Sequence, residues 1–406
     1  MVEDAKRRKE HRGWLTEITS LPTATGRELR VVEWVRRWAA DRPGVQIVTD
    51  DTGNMLIQRP ESADRSARLG AGPILYTGHL DHPAFVIDKV GSSGKTATAR
   101  FLGGVREPYF VDGRVTAHSM TDQSAEPISG TITGHTEPDP PERLFRVCEI
   151  ELDKPAPWLM AGDIAVWDLP ATTIGDDGMV RARVCDDLAA VCAALGAFDS
   201  LGDLASPPDV RVLLTLAEEV GFIGAIAACK LGTIPAGSRV VALENSRSFP
   251  DSPIGAGPIV RVGDRMTTFS PTLTGAVAKV CEKLAGTADR AVGTPVAASE
   301  PHDRFRWQRK LMPGGACEAT AYCAYGYEAT CVCLPLGAYH NMANLAEVEK
   351  PGFTGAATVG PETIALADFE GLVDLLVACG TELGVTEPMT VKLEKLYDER
   401  SFVLGQ

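Results

Sequence analysis

The sequence has no CxxC pair among its ten cysteines, no apolar run near the roughly 18 residues of a membrane span, no basic excess and no internal repeat. Each absence removes a class of protein. Without a small-domain cysteine framework, in a chain of 406 residues that needs no covalent staples, the thiols read as reduced, as in a cytoplasm. The amino-terminal stretch MVEDAKRRKEHRGW is densely charged and lacks the apolar segment of a secretion signal. Lys and Arg number 40 against 54 Asp and Glu, a formal charge of −14, which disfavours phosphate backbones and anionic lipid as partners. The expectation is a cytoplasmic protein that binds neither nucleic acid nor membrane.

What is present is a hydrophobic content of 44%, enough for a large core, in a length that suggests two or three domains. Residues 14–39 read as two helical pieces broken at Leu21-Pro22, the second opening with Thr25 and Glu28 at capping-box spacing. The basic run Lys6 to Lys9 reads as a solvated, frayed end. Strands follow at 45–48, 55–57 and 73–77, the last ending at Gly78-His79-Leu80-Asp81. From 85 to 178 short β-rich runs alternate with Gly, Pro and Asp turns and no helical stripe appears, so this stretch reads as an inserted small β-barrel. After 179 strands (180–184, 210–216, 239–243, 329–334) and helices (188–198, 224–229, 276–284, 364–379) alternate. Such succession implies an α/β fold with a mostly parallel, helix-covered sheet. Residues 1–84 and 179–406 would form one discontinuous catalytic domain around the 85–178 barrel.

His79, Asp186, Glu218 with Glu219, Glu244 and His340 each follow one of these strands. Open α/β sheets place their sites at the carboxyl ends of strands. A lone strand-end carboxylate is usually a helix cap or a solvated charge, and a lone histidine is usually structural; so many in sequence call for chemistry. Imidazole and carboxylate without thiolate suit Zn²⁺ or a similar divalent ion, and two His with three carboxylates suffice for two metals sharing one carboxylate, which polarise a carbonyl and generate hydroxide. Asp81 shares a face with His79 and can orient its imidazole. Of the adjacent Glu218 and Glu219, one can hold metal while the other acts as general base. Cys331 and Cys333 read as core thiols, and Cys185, beside Asp186, as the thiol most open to oxidation.

These residues, in order and spacing, resemble the tetrahedral aminopeptidases, the glutamyl aminopeptidase or endoglucanase-M-like family of two-zinc exopeptidases. The resemblance runs through LPTATGREL, DTGNMLI, YTGHLDHPAFVI, FLGG, SGTITGHT, RARVCDDLAAV, TLAEEVGFIGA, VALEN, GAGPIVRVGD, PGGACEATA and GAYHNM. It implies the same α/β fold with its inserted barrel, and an aminopeptidase acting on short peptides. His79 would be a ligand of one metal, Glu244 would complete that metal's shell and His340 the other's, with Asp186 bridging, Glu219 a ligand, Glu218 the general base and Asp81 supporting His79. It implies Zn first, with Co or Mn as substitutes, and self-assembly into hollow dodecamers built from dimers. The chain departs from the family at His82-Pro83, where Glu is common, at Asp186-Asp187-Leu188, which loses an Arg, and at Gly314 to Glu318, where Gly-Gly-Thr-Asp is usual. His82 reads as an extra ligand, a substrate contact or a turn residue, the last two being favoured, and Glu318 is a second candidate for touching substrate. The other readings are an amide deacylase on the same site and an inactive assembly protein of this fold.

Overall fold

A computed structural model describes residues 5–69, 72–140, 144–286, 305–383 and 389–405. Its main sheet has eight strands, and its centre is four parallel ones: Val210–Thr215, Ile74–His79, Arg239–Arg247 and Glu328–Leu336. All six positions of Ile74–His79 are buried, as expected of a strand covered on both faces. The edges are antiparallel or mixed: Met55–Gln58 and Gln46–Thr49 extend one side, Ile259–Gly263 and Gln308–Leu311 the other.

Helices cover both faces. On one, Leu188–Gly202 is apolar almost all round and is wedged between the sheet and the outer helices Ala5–Ile18 and Leu366–Glu382. On the other, Ile223–Leu231 and Glu318–Ala324 pack over Leu75, Leu213 and Ala242. None of the described helices is long and apolar enough to cross a membrane. All ten cysteines are free, and Cys331 and Cys333 are buried.

The chain leaves the sheet after His79 and forms a closed barrel in the order Ala84–Val90, Thr96–Leu102, Arg146–Leu152, Ile128–Thr136, Arg114–His118, Ile164–Trp167. Alternation of buried and open positions along Arg146–Leu152 marks a half-buried strand. Inside, Phe85, Phe101, Phe110 and Trp167 pack edge-on or tilted, with centroids 4.8–6.1 Å apart. The chain returns through a separate antiparallel sheet of Thr173–Ile174, Met179–Ala182 and Glu362–Ala365.

Two expectations are corrected here. The basic amino-terminal run is not frayed: it lies in Ala5–Ile18, where Arg8 pairs with Glu370 and Asp374, and Arg7 with Asp199 and Asp203. The capping box of Thr25 and Glu28 does not form either. The helix Leu29–Ala40 starts without a side-chain cap. The Thr25 hydroxyl donates to Asp81, and Glu28 accepts from the amides of Gly26 and Ala217. Buried acceptors and donors from distant strands outcompete the local cap.

Candidate metal centre

Parallel register brings the candidate residues together. Thr215 pairs with His79 and Ala242 with Thr77, so two positions further on Glu244 stands beside His79. Glu244 therefore lies inside the strand Arg239–Arg247, not after it. Asp186 arrives from the small antiparallel sheet rather than from a strand of the main one, a second departure from the expected route. His340 lies in a short 3-10 turn, Tyr339–Asn341, beyond Glu328–Leu336.

The chain turns sharply at Ala217, whose φ of +52° is left-handed. The next two amides, of Glu218 and Glu219, both donate to Asp81, at 2.9 and 3.1 Å. Glu219 Oε1 lies 3.3 Å from His340 Nε2, while Glu218 faces His79. Asp81 is fully buried and also lies 3.4 Å from His79 Nδ1. Although burial opposes its ionisation, His79 and the amides of Glu218 and Glu219 hold its carboxyl below the usual range.

Each histidine has one nitrogen committed outside the centre and one facing in. His79 Nδ1 meets Asp81, and its Nε2 lies 3.4 Å from Asp186 Oδ1 and 3.7 Å from Glu244 Oε1. His340 Nδ1 donates to the carbonyl of Gly104 in the barrel segment at 2.7 Å, and its Nε2 lies 3.5 Å from Asp186 Oδ2. The two oxygens of Asp186 thus face different histidines. Three groups of potential ligand atoms meet here, His79–Asp186–Glu244, Asp186–Glu219–His340 and His79–Glu218–Glu219, each within 4.8 Å, and only the first two share Asp186. Asp186 Oδ1 and Glu219 Oε1 are buried without a hydrogen-bond partner, a costly arrangement that a cation between them relieves. The donor set fits divalent ions.

Above this floor is a cavity of about 880 Å³, walled by Gly104 to Arg106 of the barrel segment, Asn245 to Arg247, Arg261 and the loop Met312 to Ala316. Glu218 opens into it. Burial, with Glu244, Glu219 and Asp81 outweighing His79, lifts the Glu218 carboxyl well above its usual range. The two residues expected to touch substrate are placed elsewhere. His82 is buried, its ring nitrogens facing the carbonyl of Asp186 at 2.8 Å and Asn341 Oδ1 at 3.1 Å. Glu318 is buried under the sheet end, accepting from Thr215 and from Tyr322 at 3.2 Å. Neither lines the cavity. Cys185 is fully buried, and burial with Glu362 and Asp186 nearby pushes its thiol well up, which keeps it protonated rather than reactive. Gly104, Glu28 and Glu362 support the site but were not singled out for that role from sequence.

The charge balance has a pH signature. Burial, with Asp81 nearby, pushes Glu28 from 4.5 to about 7. Burial, opposed by His82 and aided by Asp186, pushes Glu362 likewise from 4.5 to about 7. A raised carboxyl adds stability that is present below its ordinary value and lost as pH rises through the folded one. His79 and His340, held high by their carboxylate neighbours against burial, act in the same direction. The chelator-treated chain is therefore expected to melt at lower temperature at about pH 8 than at about pH 5, and divalent ions should reverse the trend. A melting temperature of the stripped chain that rises over this interval contradicts the assignment.

An α/β sheet with a parallel centre, imidazoles and carboxylates gathered beside it and a barrel next to them has the donor set of a metal-dependent enzyme. Residues 53–292, more than half of the chain, match the family described as M42 glutamyl aminopeptidase, and the chain belongs to that family. It is a hydrolase of the aminopeptidase type. Solved structures agree in fold. A TET1 peptidase from Pyrococcus horikoshii, described as assembling into a tetrahedron or a large octahedral shell, is 21% identical with a TM-score of 0.67, over 92% of this chain and 99% of the other. An aminopeptidase from the archaeon Desulfurococcus kamchatkensis is 20% identical with a TM-score of 0.67, over 91% and 94%. PhTET1-12s, described as a dodecamer, is 20% identical with a TM-score of 0.66, over 91% and 98%. A search of curated proteins gives no match.

Proposed function

We propose that the cavity removes the amino-terminal residue from short peptides, with Glu218 as general base beside two divalent ions that share Asp186. The observation that carries this reading is the split of Asp186, whose oxygens face His79 and His340 separately. His79 and Glu244 would hold one ion, Glu219 and His340 the other. Bound there, Zn²⁺ ions would polarise the scissile carbonyl and acidify a water, and Co²⁺ or Mn²⁺ could serve in their place.

The chain's own part is proton handling and positioning. Glu218, raised by its surroundings, takes a proton from the attacking water and returns it to the leaving amine. Its freedom to do both comes from the Ala217 turn and from Asp81, which accepts from the amides on either side of the Glu218 Cα. A carboxylate of the floor receives the free α-amine. The barrel, taken as an inserted domain over 85–178, closes one side of the cavity and admits short chains end-on. The reading includes action in the cytoplasm, in keeping with ten free thiols, and self-assembly of identical subunits, as described for the Pyrococcus horikoshii protein.

The test uses full-length chain reloaded with Zn²⁺ on aminoacyl chromogenic amides and on their N-acetyl counterparts. Aminoacyl amides should be cleaved, N-acetylated ones left intact, and chelator should abolish turnover until metal is restored. Faster cleavage of N-acylated substrates would establish the deacylase instead, and turnover indifferent to chelator would remove the metal from the mechanism.

A further inference from the structure

We infer that Glu362 and His82 form a clasp that sets the spacing between Asp186 and His340, and so governs ion binding at the Glu219–His340 site. This rests on the two-ion reading above. Glu362 is fully buried at the start of the strand Glu362–Ala365, facing Ala182 across the small antiparallel sheet. Its carboxylate binds three backbone amides from two loops far apart in sequence. Oε2 accepts from Cys185 and Asp186, at 2.7 and 3.0 Å, and Oε1 accepts from His340 at 2.8 Å.

His82 grips the same two loops from the other side. One ring nitrogen meets the carbonyl of Asp186 and the other meets Asn341 Oδ1. Asn341 is fixed in that orientation because its amide nitrogen donates to the carbonyls of Arg183 and Gly360, at 3.0 and 3.3 Å. The peptide units on both sides of Asp186 are therefore tied through two side chains to the amide of His340 and the side chain of Asn341. Neither side chain lines the cavity or is among the grouped ligand atoms, so both act as positioning residues.

The loop needs such support. Ala338, His340 and Asn341 all have positive φ, at +53°, +53° and +64°, a conformation that non-glycine residues keep only where their surroundings over-determine it. Without an acceptor at Glu362 Oε1 the His340 amide is a buried, unpaired donor and the turn is free to relax. His79 and Glu244 sit on central strands and do not depend on this loop. The clasp should therefore act on one ion more than on the other.

Glu362→Gln has one carbonyl oxygen for two opposing sets of N–H donors, so its NH₂ must face one of them. His82→Gln removes the ring that spans both loops. Full-length wild type, both variants and His340→Ala are stripped with chelator and titrated with Co²⁺, whose absorption reports ligand geometry. Wild type should show two classes of site. Both clasp variants should weaken, about 10–100-fold, the same class that His340→Ala abolishes, and weaken the other, which shares Asp186 but takes His79 and Glu244 from central strands, much less. If Glu362→Gln does not fold, His82→Gln reads the clasp from its other arm. Unaltered binding at both sites, or equal weakening of both, overturns the clasp. A wild-type chain that takes up only one Co²⁺ overturns the two-ion reading itself and the clasp with it.

Discussion

Glu218→Gln is expected to lower kcat about 10²–10⁴-fold, the usual contribution of a positioned general base, while metal content and fold stay intact. The substitution keeps the shape of the side chain and removes only its basicity. Glu218 is suited to so selective a test because Asp81 binds its backbone amide, not its carboxylate, so the loop stays anchored in the variant. The carboxylate itself opens into the cavity, and its pKa is lifted by burial and by Glu244, Glu219 and Asp81. Parallel measurement of kcat/KM on an aminoacyl amide and of bound metal checks the expectation. Turnover within a few-fold of wild type would move the base elsewhere.

Asp186→Ala should have the larger structural consequence. Its two oxygens face His79 and His340, so its loss removes a ligand atom from both groups at once. Bound divalent ion is expected to fall towards zero, and activity by about 10³-fold or more, since the lost transition-state stabilisation amounts to several kcal/mol. Glu244→Ala and His340→Ala each disturb one group and should retain part of the metal. Mass-spectrometric metal analysis of the purified variants separates the cases. An Asp186→Ala chain that still carries two ions would remove the shared-carboxylate arrangement.

The fold class was legible because its signals are local and periodic. Short apolar runs flanked by turns announced Ile74–His79 and Val210–Thr215, and the loss of any helical stripe announced the barrel. The strands at the far edge were not, because Gln308–Leu311 reads QRKL and alternates only between half-buried and exposed positions. The helices Pro60–Leu69 and Met389–Arg400 likewise carry no wide apolar stripe that would announce them. Among site residues, the approach of His79, Glu218, Glu219 and His340 could be anticipated because the ends of neighbouring parallel strands meet by topology, whereas Glu244 stands inside its strand and Asp186 comes from the small sheet. What could not be anticipated was every contact in which a side chain binds a remote backbone amide. Glu28 to Ala217 and Glu362 to His340 leave no spacing rule in the sequence. His82 and Glu318 misled for the same reason: a polar residue beside a motif says nothing of which side of the backbone it will occupy.

The Gly104 carbonyl accepts a hydrogen bond from His340 Nδ1–H, so the barrel sets the rotation of an imidazole that the sheet alone would leave free. On the proposed function the inserted segment is thus mechanically part of the chemistry. A chain trimmed to its sheet and helices would lose the aim of one ligand as well as a wall of the cavity. A force applied to the barrel from outside, as by a neighbouring subunit leaning on it, has a direct lever on the reaction centre through a single hydrogen bond of 2.7 Å.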